Sequence, residues 1–119
     1  MAKSLLLICR RAPWSGPAAR EALDVALAGG AFDLPISLLF LDDGVFQLQA
    51  GQQPALLEQK DLGANLRALP LFGIEALYVA AADLQRRGLE VAQLALPATL
   101  VEDAALAALL NRHDLVMTL

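Results

Sequence analysis

The stretch Ala76-Leu-Tyr-Val-Ala80, followed by Ala82 to Arg87 and closed by Gly88, holds a strand and a helix in thirteen residues. The apolar run is too short for a helix and suits a strand. The residues after it form a short helix, which Gly88 closes. Working outward, Lys3-Ser-Leu-Leu-Leu-Ile-Cys9 is an almost continuous apolar run, as expected for a strand covered on both faces of a parallel sheet. Pro35 opens another, Ile36 to Leu41, which Asp42-Asp43-Gly44 ends. A weak strand near Leu96 to Val101 leads into a helix from Glu102 to about Arg112, and Asp114 to Leu119 reads as a final strand.

Between the first two strands, Arg10 to Gly16 must be a loop, with Ser15 or Gly16 capping a helix that has Pro17 at its first position. Ala19, Ala22, Leu23, Ala26 and Leu27 make one apolar stripe. Gly29 and Gly30 are expected to stop that helix. Val45 to Pro54 reads as irregular, and the apolar positions from Leu56 through Leu62, Leu66 and Leu69 predict a helix ending near Pro70 or Gly73. Alternating strands and helices predict one α/β domain over residues 1–119, with a mainly parallel five-stranded sheet flanked by helices.

Composition narrows the function classes. Hydrophobic residues make up 57% of the 119, which excludes a disordered tail or low-complexity linker. Nine Lys and Arg against thirteen Asp and Glu give a net charge of -4, without the basic footprint of a direct nucleic-acid binder. The apolar runs are far shorter than the roughly 20 residues that span a bilayer. Arg10 and Arg11 interrupt any secretory signal, so the chain reads as cytoplasmic. One Cys excludes an internal disulfide or a CxxC pair, and one His excludes a two-His metal site. A domain of this size buries only about two thirds of its unfolded surface, so so apolar a chain is expected to meet partner subunits.

Parallel sheets place chemistry beyond the carboxyl ends of their strands, which directs attention to Arg10–Gly16, Asp42–Leu48 and Ala80–Asp83. Arg10 and Arg11 carry neither a GxGxxG nor a P-loop pattern and are expected to solvate a loop or pair with an acidic partner, with a small-anion site of flavodoxin-like type as an alternative function. A receiver-like signalling domain fails, because the first strand ends in arginines, the third in alanines, and the only lysines are Lys3 and Lys60. Cys9 lies in an apolar strand and reads as a buried structural thiol. His113 favours the negative end of the helix before it or serves an interface, and Glu102 and Asp103 complement the positive end. Asp42-Asp43-Gly44 reads as a turn with acidic helix capping rather than a cation site. No cofactor or metal is expected, and Trp14 and Tyr78 read as packing or interface anchors.

Phe40-Leu-Asp-Asp-Gly-Val-Phe-Gln-Leu48, followed by Gly51-Gln-Gln-Pro54, resembles the second-strand loop of the TusC/DsrF family of sulfur-relay proteins. Gly73 to Leu89 resembles that family's third strand and following helix, Arg20-Glu-Ala-Leu-Asp24 its first helix, and Asp114-Leu-Val-Met its last strand. The resemblance covers essentially the whole chain. It implies a DsrE/F-like α/β sandwich and a subunit of a TusB–TusC–TusD-type complex, a dimer of heterotrimers with TusB-like and TusD-like partners. Such a complex passes persulfide sulfur from TusA to TusE and on to the wobble uridine of certain tRNAs. Related DsrE–DsrF–DsrH complexes serve sulfur oxidation.

In the D-type subunit a Cys precedes an Ala-rich turn and an Arg-Arg-Gly ending. Counting back from Arg86-Arg87-Gly88 places that position at Ala80. The resemblance therefore implies a subunit without its own active cysteine. Trp14, Asp43, Gly44, Phe46, Leu48 and Tyr78 are its expected interface residues.

Overall fold

The computed structural model describes residues 3–12, 14, 16–49, 66–94 and 96–119. In chain order these form β1 (Leu5–Cys9), α1 (Ala18–Ala31), β2 (Ile36–Phe40), a 3-10 turn at Asp42–Leu48 and another at Leu69–Phe72. Then come β3 (Ala76–Ala80), α2 (Ala81–Arg86), a 3-10 turn at Val91–Gln93, β4 (Thr99–Val101), α3 (Asp103–Asn111) and β5 (Leu115–Thr118). The five strands form one sheet in the order β4-β3-β2-β1-β5, and every pairing is parallel. The chain steps outward from β1 to β4, then returns to lay β5 on the far side of β1. That reversal is a topological switch point, the place where open α/β sheets leave a crevice.

Register brings the carboxyl ends of the strands together. Cys9 lies opposite Phe40, Phe40 opposite Val79, Ile8 opposite Thr118 and Ala80 opposite Val101. Side chains alternate across the pleat. Leu7, Cys9, Leu38, Phe40, Leu77 and Val79 therefore join the larger core with α1, while Leu6, Ile8 and Leu39 join the smaller one beneath α3.

Two helix boundaries differ from expectation. Pro17 is the residue flanking α1, with no side-chain cap, and Ser15 lies outside the described residues. Gly29 and Gly30 do not stop α1 but lie inside it, where the helix passes close to neighbouring chain. A Cβ on Gly30 would stand 2.8 Å from the Phe72 carbonyl oxygen, and one on Gly29 would overlap the end of Ile36. The helix ends instead at Phe32, and Asp33 takes the left-handed conformation with φ 60°. The predicted helix from Leu56 lies outside the described residues up to 65. Its end, 66–68, is helical and passes into the Leu69–Phe72 turn, with Gly73 at φ 80°.

Candidate functional site

The carboxyl edge of the sheet gathers three chain segments whose charges interlock. β1 delivers Arg10 and Arg11, β2 delivers Asp42 and Asp43, and α2 delivers Asp83, Arg86 and Arg87. Arg10 donates to Asp42 Oδ2 from Nε and Nη2, both at 2.7 Å. Asp83, only 7% exposed, accepts the Asp42 backbone N–H at 2.9 Å. Its other oxygen accepts Arg86 Nη1 at 3.1 Å and Arg87 Nη1 at 3.5 Å. Arg87 reaches across to Asp43 Oδ1 with Nε at 2.9 Å.

These contacts correct the capping reading of Asp42-Asp43-Gly44. The residue flanking the Asp42–Leu48 turn is Leu41, no carboxylate caps the turn, and both aspartates pair with arginines from other elements. The stretch from Val45 to Leu48, expected to be irregular, continues that 3-10 turn, whereas 50–54 lies outside the described residues. Asp42 itself has φ 49°, a conformation that Asp tolerates better than most residues. Gly44 packs directly on the Cys9 carbonyl, leaving no room for a Cβ. Gln47, also buried, donates to the Arg11 carbonyl at 2.9 Å.

Among the expected interface residues, the structure separates surface from core. Trp14 is 49% exposed and rests against Phe46, with ring centroids 5.1 Å apart. Asp43 is exposed and Tyr78 is half-buried, packed against the smaller core. Gly44 and Leu48 are corrected: both are buried in the chain itself and offer no side-chain surface. Leu48 anchors the turn from inside, because it closes an apolar position on the core side of a 3-10 helix.

Cys9 and Ala80, the two positions weighed for sulfur chemistry, are both buried. Cys9 is 2% exposed, and burial pushes its thiol up to about 12, so the nucleophilic thiolate is suppressed. Ala80, the last residue of β3, is also buried and immediately precedes α2. His113 is held at the end of α3, with Nδ1 2.9 Å from the Leu109 carbonyl oxygen and Nε2 3.2 Å from Ser37 Oγ. Two structural contacts occupy its ring nitrogens, in keeping with the helix-end role.

A cleft of about 530 Å³ lies at the switch point, lined by Arg10, Arg11, Ala12, Asp42, Asp43, Thr118 and Leu119. Its charges are mixed, and Arg10 is already neutralised by Asp42. Arg10 thus makes the acidic pairing expected of it, which weakens the alternative of an anion site between Arg10 and Gly16. Among the described residues, no group of three or more His, Cys, Asp or Glu could hold a metal ion. Asp42 and Asp43 instead point to different arginines.

Asp83 and Arg87 are the residues that sequence reasoning passed over. The sequence directs attention to Ala80–Asp83 as a strand end without distinguishing the Asp83 carboxylate, and Arg87 enters only through the Arg86-Arg87-Gly88 ending. The signal that could have found them is their charge just after the third strand, at the edge where parallel sheets place chemistry.

Comparison with known proteins agrees with this architecture. The family model described as the DsrE/DsrF-like family matches residues 3–119. A protein of Pseudomonas aeruginosa, described as Protein TusC homolog, is 62% identical over 119 residues, covering all of both chains. The crystal structure of the ychN protein from E. coli superposes with a TM-score of 0.82 over the full length of both chains at 21% identity, a likeness of fold. With the family model spanning nearly every residue, this chain belongs to the DsrE/DsrF-like family.

Proposed function

We propose that this chain is a non-catalytic subunit of a TusB–TusC–TusD-type sulfur-relay complex, in which a neighbouring D-type subunit carries the sulfur. Full-length similarity to a TusC homolog supports the subunit assignment. One observation carries the non-catalytic part: the chain's single cysteine is buried, with its thiol pushed up to about 12. Relay requires a thiolate that accepts sulfane sulfur from one persulfide and offers it to another thiol. The position that matches the D-type cysteine holds Ala80, whose methyl group does neither.

The role left to the chain is to complete the assembly and shape the surface around the neighbour's thiol. Trp14, Asp43, Phe46 and Tyr78 are the residues proposed to meet that neighbour. The sulfur so delivered is directed to 2-thiouridine at the tRNA wobble position. With a net charge of -4 the chain has no need to touch the tRNA itself. Among the described residues no helix is long and apolar enough to cross a membrane, consistent with work in the cytoplasm.

Native mass spectrometry of the chain co-expressed with B- and D-type subunits tests the assembly, with two copies of each subunit expected. A lone monomer or a homo-oligomer would overturn it. Incubation of the complex with a persulfide donor tests the division of labour: the mass of one sulfur should appear on the D-type subunit. Sulfur on this chain, removed by Cys9→Ser, would refute the non-catalytic reading. Deletion of the gene should lower 2-thiouridine in hydrolysed tRNA, and unchanged 2-thiouridine would exclude the tRNA pathway.

A further inference from the structure

The Asp42–Leu48 turn is held far more firmly than a surface connection requires. One end is pinned to β1, through Arg10 on Asp42, Gly44 on the Cys9 carbonyl and Gln47 on the Arg11 carbonyl. The other attachment is to α2, through Asp83 on the Asp42 N–H and Arg87 on Asp43. Asp83 is the pivot, because one buried carboxylate accepts both the backbone of the turn and the guanidinium that grips the turn's exposed carboxylate. The pinned segment carries Phe46, which supports the half-exposed Trp14.

An aromatic anchor rimmed by paired charges is the anatomy of a protein-docking point, and rigid presentation cuts the ordering cost of binding. The turn also lies at the same sheet edge as Ala80, the end of this fold at which chemistry collects. We infer that Asp83 and Arg87 are positioning residues that preset the Trp14–Phe46 edge for the thiol-bearing subunit. This rests on the subunit reading above.

The carboxylate and guanidinium act together. Asp83→Asn keeps an oxygen for the Asp42 N–H but loses the charge that holds Arg87. Asp83→Ala loses both, and Arg87→Met keeps the aliphatic bulk while releasing Asp43. The rank order of effect is therefore Asp83→Ala above Arg87→Met and Asp83→Asn.

Two measurements test it on the full chain. Trp14 is the only tryptophan, so acrylamide quenching of its fluorescence reports directly on the turn. The quenching constant should rise about twofold in Asp83→Ala, with the far-ultraviolet dichroism unchanged, and stay at the wild-type value in the surface control Asp24→Ala. Titration against the D-type subunit should then show an affinity loss of about tenfold or more for Asp83→Ala, a smaller loss for the other two, and none for the control. Unchanged quenching in all variants would overturn the clamp. Wild-type assembly matched by equal assembly of the variants would overturn the positioning role while leaving the subunit reading intact. A wild-type chain that never binds the D-type subunit would defeat the subunit reading and the docking role together, with quenching still deciding whether the clamp exists.

Discussion

The ends of β1 and β3 lie on the same edge of one sheet, yet each holds only half of what sulfur relay needs. The end of β1 has a thiol, Cys9, but the Gly44 turn closes over its backbone and its side chain lies in the core. The end of β3 opens directly into α2, yet Ala80 stands there without a nucleophile. A thiol's chemistry depends on its ionisation, so a sulfur atom in the wrong environment contributes packing alone. The contrast separates two positions of one sheet edge by environment: a thiol held in the core and an open strand end without one.

The largest expected effect is at Cys9. Relative to a thiol of ordinary pKa 9.0, a value of about 12 lowers the thiolate fraction near neutral pH by roughly a thousandfold. Alkylation followed by mass spectrometry should therefore be about a thousand times slower in the native chain than in denaturant. Equal rates would erase the distinction between the two strand ends. Next comes Gly44→Ala, which drives a methyl group into the Cys9 carbonyl and should cost about 3 kcal/mol in urea unfolding. An unchanged midpoint would show that the turn does not close over β1.

The pH dependence sharpens the comparison further. Cys9 stays protonated in the folded chain when the unfolded thiol has already ionised. Its contribution is therefore complete below pH 9 and is lost as the pH rises toward about 12. Cys9→Ala should make the alkaline fall of stability shallower, and an identical slope would contradict the raised value. The smallest effect is far from either end, at Asp114 on the amino side of β5. Hydrogen bonds from the Ser4 backbone N–H and then the Ser4 hydroxyl hold its carboxyl below the ordinary 3.8, helped by the positive Lys3 and His113. The stability it contributes is present above that ordinary value and is lost as acid protonates it. Asp114→Asn should flatten the acid limb below about pH 3.8 slightly, with the alkaline limb unmoved.

Where apolar runs decide structure, the sequence was readable almost to the residue. β2 occupies Ile36–Phe40 and β3 Ala76–Ala80, because a buried parallel strand must be apolar on both faces and leaves a dense local signal. Gly29 and Gly30 were misread because glycine has two uses. As a left-handed stop it signals a helix end, but here it permits α1 to approach Ile36 and Phe72. No local pattern distinguishes those uses, since the approaching atoms come from other elements.

The candidate site divides in the same way. The sequence showed that the arginines after β1 and the aspartates after β2 belong to strand ends, and that Cys9 is embedded in an apolar run. Leu48, expected at an interface, is instead buried at the end of the Asp42–Leu48 turn. Asp83 looked like an ordinary residue of a short helix until α2 came to lie beside the Asp42–Leu48 turn.

By itself, then, the sequence determined the alternating α/β architecture, because short-range apolar pattern carries that information, while the family and the significance of Ala80 came from the resemblance of particular segments such as Phe40–Leu48 and Gly73–Leu89. The tertiary structure alone decided that Gly44 covers Cys9, that Asp83 ties the Asp42–Leu48 turn to α2, and that Trp14 rests on Phe46 at the surface. Those pairings join residues about thirty to forty positions apart, as with Trp14 and Phe46 or Asp42 and Asp83. Only the parallel register of β1, β2 and β3 brings them to one edge, and a register is a property of strands already assembled.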